Sequence, residues 1–146
     1  SAKIATVKVG ADSDIELKEK ADRVEDAICA TKAAIKEGIV AGGGVALLNA
    51  STNIKAANKA EEILLKAIKA PYNTILENAN FDIVESNKKG WGMDVVTGKS
   101  KNMIKSGIID PLLVTKTALK NAASVATTIL STDCIINNLR INEGNR

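Results

Sequence analysis

A chain of 146 residues holds one hydrophobic core, and a 45% hydrophobic, 25% charged composition is that of an ordinary globular domain. Its net charge of +3 comes from 20 basic and 17 acidic residues with no Lys/Arg block and no interleaved aromatics, which excludes a nucleic-acid surface; no apolar run reaches the roughly 20 residues of a membrane span. With no histidine, Ser-His and Cys-His catalysis and His-ligated metals are excluded, and with 2% aromatics the core must be built from Ala, Ile, Leu and Val, which suits packed helices.

Taken in chain order, Lys3 to Val9 alternates in polarity and ends at Gly10, the pattern of a strand. Ser13 and Glu16 have capping-box spacing and open a long helix that Gly38 ends; its apolar stripe includes Val24, Ile28 and Ile35, while Asp22, Asp26 and Ala30 lie on another face. Gly42-Gly43-Gly44 then precedes a second helix from Val45 to about Ile54, and bare amides at a helix start let phosphate approach the backbone. A third helical stretch covers 58–78, and Pro71 either kinks it or starts a new helix in whose first turn it sits.

Beyond Asn80 the signals weaken. A short helix is expected through Ile83 and Val84, an extended segment from Gly90 to Val96, and a turn at Thr97-Gly98-Lys99. Asp110-Pro111 has the form of an N-cap and first helical residue for a helix running to about Leu130, Cys134 to Ile136 that of a terminal strand, and Asn142 to Arg146 that of a frayed tail. Cys29 and Cys134 lie in apolar stretches and are expected as reduced core thiols. The fold class is therefore mainly α with minor β strands.

Separately, Asp26 is by default a solvated charge, Asp94 a turn residue and Asp110 a cap. As an ordered string, however, Arg23-Val24-Glu25-Asp26-Ala27, Ala30-Thr31-Lys32-Ala33-Ala34 and Glu37-Gly38-Ile39-Val40-Ala41-Gly42-Gly43-Gly44-Val45 closely resemble the group I chaperonin subunit, the bacterial and organellar Hsp60 type. The resemblance recurs at Asn102-Met103-Ile104, Gly107-Ile108-Ile109-Asp110-Pro111, Val114-Thr115 and Asn121-Ala122-Ala123-Ser124-Val125-Ala126.

This resemblance implies a C-terminal fragment of an ATP-dependent protein-folding chaperonin, with 1–38 as part of the intermediate domain and 39–146 as the C-terminal half of a multihelical equatorial domain. The apical domain and the other equatorial half, with its phosphate loop and magnesium ligand, would be absent. Asp26 then falls at the aspartate that activates the attacking water, Gly43 at a nucleotide-contacting glycine, Met93, Asp94 and Val95 on the segment against the adenine, and Asp110 at the ribose contact. ATP, Mg²⁺ and K⁺ are the implied cofactors of the complete subunit, none of them held tightly by the fragment, which is expected to be inactive alone. The implied partners are other subunits in a homo-oligomeric ring, a co-chaperonin and unfolded clients. The implied location is the cytoplasm of a bacterium, or otherwise the mitochondrial matrix or plastid stroma.

The sequence departs from the family pattern at Asp94, where many members carry Asn, and at Met93, where many carry Tyr. It is also shorter than the bacterial form between Asn80 and Trp91, and it lacks the Gly-Gly-Met repeats at its end. The competing reading is a non-catalytic helical interaction module of shared ancestry. Apolar faces built to pack on a missing half predict self-association of the fragment.

Overall fold

The computed structural model of the chain describes residues 3–86 and 88–136. The long helix forms as its ends dictate: α1 (Asp14–Glu37) starts where the Ser13 hydroxyl accepts the Glu16 amide at 3.3 Å and stops at Gly38, whose φ of 87° ends the helix while its amide still donates to the Ala34 carbonyl at 2.8 Å. Immediately afterwards β1 (Ile39–Ala41) pairs antiparallel with β4 (Ile109–Pro111), Val40 opposite Asp110, and α5 (Leu112–Leu130) leaves directly from that ladder. α1 packs across β4 and α5, and the Lys116 ammonium on α5 bridges to the Glu37 carboxylate.

α2 (Val45–Asn53) follows the glycine triplet. The stretch read as one third helix is two, α3 (Lys59–Ala67) and α4 (Ala70–Asn78), with Pro71 in the first turn of the second, where a missing N–H costs nothing. α4 ends in a Schellman motif: Asn80 takes a left-handed φ of 57°, its amide donates to Glu77 at 2.9 Å, and the Phe81 amide reaches back to Leu76 at 2.9 Å. Phe81 thereby packs on the core that contains Leu76.

The short helix expected through Ile83 and Val84 does not form. Residues 81–86 are irregular, held from the side by the buried Tyr72, whose hydroxyl donates to the Val84 carbonyl at 2.8 Å, and by the Lys69–Glu85 ion pair at 2.9 Å. The first gives the Val84 carbonyl a partner without a helical turn, and the second anchors the Glu85 side chain. The extended segment is a hairpin of β2 (Trp91–Asp94) and β3 (Lys99–Asn102), in register Trp91 to Asn102 and Asp94 to Lys99. The core is small, Ala41, Val45, Leu48, Tyr72, Leu76 and Met103, and it lies between α2, α4 and this hairpin.

Four further expectations are corrected. Lys3 to Val9 is no strand, because nothing among the described residues pairs with it, and Ile4 stands 91% exposed. Asp110 does not cap α5: it is a rung of the β1–β4 ladder, Pro111 is extended at φ −66° and ψ 130°, and the Leu112 amide closes the ladder onto the Gly38 carbonyl at 3.0 Å. Cys29 and Cys134 are free, but on the surface, not in the core. Cys134 to Ile136 is irregular, and the tail from Asn142 to Arg146 lies outside the described residues.

Surface area shows how open this arrangement is. The chain exposes 12033 Å², whereas a compact monomer of 15.3 kDa exposes roughly 7,000 Å². No residue of α1, α3 or α5 is buried, and Ile28 and Ile35 of the α1 stripe face solvent. A groove of about 330 Å³ between α3, α4 and α5, lined by Leu47, Leu64, Ile68, Leu119 and the alanines of α5, is almost wholly apolar.

Candidate functional site

The glycine triplet forms the floor of the site. Gly43 and Gly44 both have positive φ, 65° and 76°, and a Cβ on Gly44 would sit 2.7 Å from the Tyr72 nitrogen, so only glycine fits where α4 crosses the start of α2. Among the described residues the amides of Gly43 and Gly44 donate no hydrogen bond, which leaves free donors beside the positive end of α2. A Cβ on Gly43 would lie 3.0 Å from the Met103 methyl, so the loop also abuts the segment leaving β3.

The β2–β3 hairpin closes one side. Gly92 packs directly on Val45, the first residue of α2, and thereby brings Met93, Asp94 and Val95 next to the triplet. Met93 and Val95 are half-buried against the core. Asp94 is 9% exposed, and its carboxylate accepts the Val96 amide at 3.0 Å, the Thr97 hydroxyl at 2.7 Å and the Lys101 ammonium at 2.9 Å. The Lys101 and Thr97 bonds favour the ionised form and lower its pKa from 3.8 to about 2.

β4 closes the other side. The Gly42 amide donates to the Ile108 carbonyl at 3.0 Å, which ties the triplet to the strand carrying Asp110. Asp110 is half-buried at a depression of about 190 Å³ whose other wall is α1, through Ala30, Thr31 and Ala34. Gly43 and the Met93–Val95 segment therefore lie together at the start of α2, as the spacing alone could not have shown, while Asp110, two residues beyond the Ile108 that Gly42 bonds, faces the depression against α1.

Asp26 stands apart from them. It lies on α1 one turn before Ala30, about 6 Å along the axis from the depression, exposed and without an ion pair among the described residues. Two residues that shape the site escaped the reading of the sequence. Tyr72 underlies the triplet, and burial raises its pKa while the Met93 backbone, acting on the same hydroxyl, lowers it and the Glu85 charge raises it. Lys101 was one lysine among many, and only the hairpin register, which sets it opposite Gly92, brings it to Asp94. The described residues contain no group of three or more Asp, Glu, Cys or His side chains able to hold a metal ion.

The model of the TCP-1/cpn60 chaperonin family matches residues 1–140. Among solved structures, the chain is similar to a group III chaperonin in the open state, with a TM-score of 0.73 and 28% sequence identity. That likeness covers 88% of this chain and 30% of the other, so the chain spans under a third of the length of the chaperonin it matches.

Proposed function

Because the chain belongs to the TCP-1/cpn60 chaperonin family, we propose that it is the C-terminal part of a subunit of the group I type and carries part of that subunit's ATP-binding and hydrolysis site. The single observation that carries this reading is the convergence of the glycine triplet, the β2–β3 hairpin and β4 on the start of α2. Free amides at a helix start suit phosphate oxygens, the Met93–Val95 segment suits the flat base, and the Asp110 carboxylate suits a ribose hydroxyl. Asp26, mounted on a helix that no buried residue anchors, suits a group that meets the γ-phosphate only when α1 moves, and its role there is to orient or activate the attacking water.

ATP with Mg²⁺ and K⁺ completes this reading. Asp26, Gly43, Asp110 and the backbone of the Met93–Val95 segment are offered to nucleotide and water, and the metal ligands belong to the rest of the subunit. The exposed apolar groove and the surface excess support the same division, since both are what one half of a domain presents to the other. Neighbouring subunits in a ring, a co-chaperonin and unfolded clients are the partners this function requires.

The test is Asp26→Ala in the complete subunit. ATP turnover falls by about 10²- to 10⁴-fold, the range for a positioned general base, while equilibrium ATP binding stays within a factor of about two, because the groups holding the nucleotide lie elsewhere. Loss of binding and turnover together, or near-normal turnover, rules out this role for Asp26.

A further inference from the structure

The family resemblance puts Asp94 against the nucleobase, yet its side chain is committed to the hairpin. Both carboxylate oxygens are engaged: one by the Val96 amide at 3.0 Å, the other by the Thr97 hydroxyl at 2.7 Å and the Lys101 ammonium at 2.9 Å. The Asp94 carbonyl also closes the turn by accepting the Gly98 amide at 2.8 Å. Lys101 lies opposite Gly92, diagonal to Asp94 on one face of the ladder, and no side chain at Gly92 competes with it for that face. From behind, the Tyr72 hydroxyl holds the 81–86 segment through Val84.

A carboxylate that reads a purine by its 6-amino group has to point an oxygen outward along that N–H. Here that movement breaks two charge-assisted bonds in a half-dry setting and gains one bond to a neutral donor, so the hairpin wins. From this we infer that Asp94 and Lys101 are positioning residues: they fix the Met93–Val95 backbone that meets the base, and the carboxylate takes no part in telling adenine from other purines. The inference rests on the nucleotide-site reading above and adds to it which groups carry base selectivity.

The consequence is measurable, because a base-reading residue and a positioning residue fail differently. In the complete subunit, equilibrium binding is compared for ATP and for purine riboside triphosphate, which lacks only the 6-amino group. Lys101→Met weakens both nucleotides by about tenfold, the loss of one hydrogen bond to a charged group; Asp94→Ala, which removes all three bonds to the carboxylate, weakens both by at least as much, and in neither variant does the ratio of the two affinities change. Lys101→Arg, which keeps the charge and a donor, restores binding of both. An Asp94→Ala variant that loses ATP affinity while binding the analogue as before overturns the inference, and so does a Lys101→Met variant indistinguishable from wild type. Should Asp94→Ala fail to fold, Thr97→Val removes one of the three bonds and is held to the same constant ratio. Wild-type subunit that binds neither nucleotide is a different failure, that of the nucleotide-site reading itself.

Discussion

Gly92→Ala tests the contact on which the site is assembled. The backbone at Gly92 is ordinary, so an added methyl brings no conformational strain, but its Cβ would overlap the Val45 Cγ2 methyl and touch the Met103 sulfur at 3.4 Å. Val45 is fully buried at 0% exposure and sits at the head of α2 beneath the glycine triplet, so it has nowhere to turn. Overpacking of this kind costs about 1–3 kcal/mol. Val45→Ala alone removes two buried methyl groups, about 1.6 kcal/mol at roughly 0.8 each, plus a cavity contribution that brings it to about 2–3 kcal/mol. In the double variant the alanine methyl at 92 occupies space that Val45 has vacated, so the two costs are not additive, and the pair is more stable than their sum by about 1–3 kcal/mol. Urea denaturation followed by circular dichroism at 222 nm on the four proteins measures this coupling, provided the slopes agree. Additivity within about 0.3 kcal/mol, the scatter of independent sites, refutes the packing of β2 on α2.

Two other outcomes follow from the same structure. The Asp94 pKa is depressed from 3.8 to about 2, so its contribution to stability is complete above about pH 4 and is lost as pH falls through about 2; Lys101→Met moves that loss to higher pH, readable as an earlier acid midpoint. The surface of 12033 Å², with an apolar groove of about 330 Å³, predicts self-association of the 146-residue chain. Light scattering then gives a mass that grows with concentration, and a constant mass of 15.3 kDa at high concentration contradicts it.

What was legible in the sequence was mostly local. Ser13, Gly38 and Pro71 each carry their effect within one turn of chain, through a side chain that accepts an amide or a backbone that allows one torsion, and the helix ends they mark lie where those residues put them. The chaperonin family at large was legible because its strings are contiguous, and the match of the TCP-1/cpn60 model over residues 1–140 agrees with that broader reading. The irregular 81–86 segment was not, since what decides it is the Tyr72 hydroxyl, 12 positions from its acceptor Val84, and the Lys69–Glu85 pair, 16 positions apart. Lys101 escaped notice for the same reason, as seven positions separate it from Asp94 and only the β2–β3 register joins them.

The misreadings at Asp110 and at Lys3–Val9 share a cause. Asp-Pro before an apolar run is a sound helix start when the chain arrives from a loop, but here it arrives from a strand, and the β1 ladder claims the backbone that capping would have used. At Lys3–Val9 the alternation is that of a strand, yet a strand is a pair, and pattern on one side of a ladder carries no information on whether the other side is present. Ile4 and Val7, 91% and 59% exposed, are apolar positions with no counterpart among the described residues. The same holds for α5, whose apolar residues are all at least partly exposed although its sequence is that of a core helix. Sequence periodicity thus marks an apolar face whether or not its counterpart lies among the described residues, and here it marks faces well outside the small core around Val45 and Tyr72.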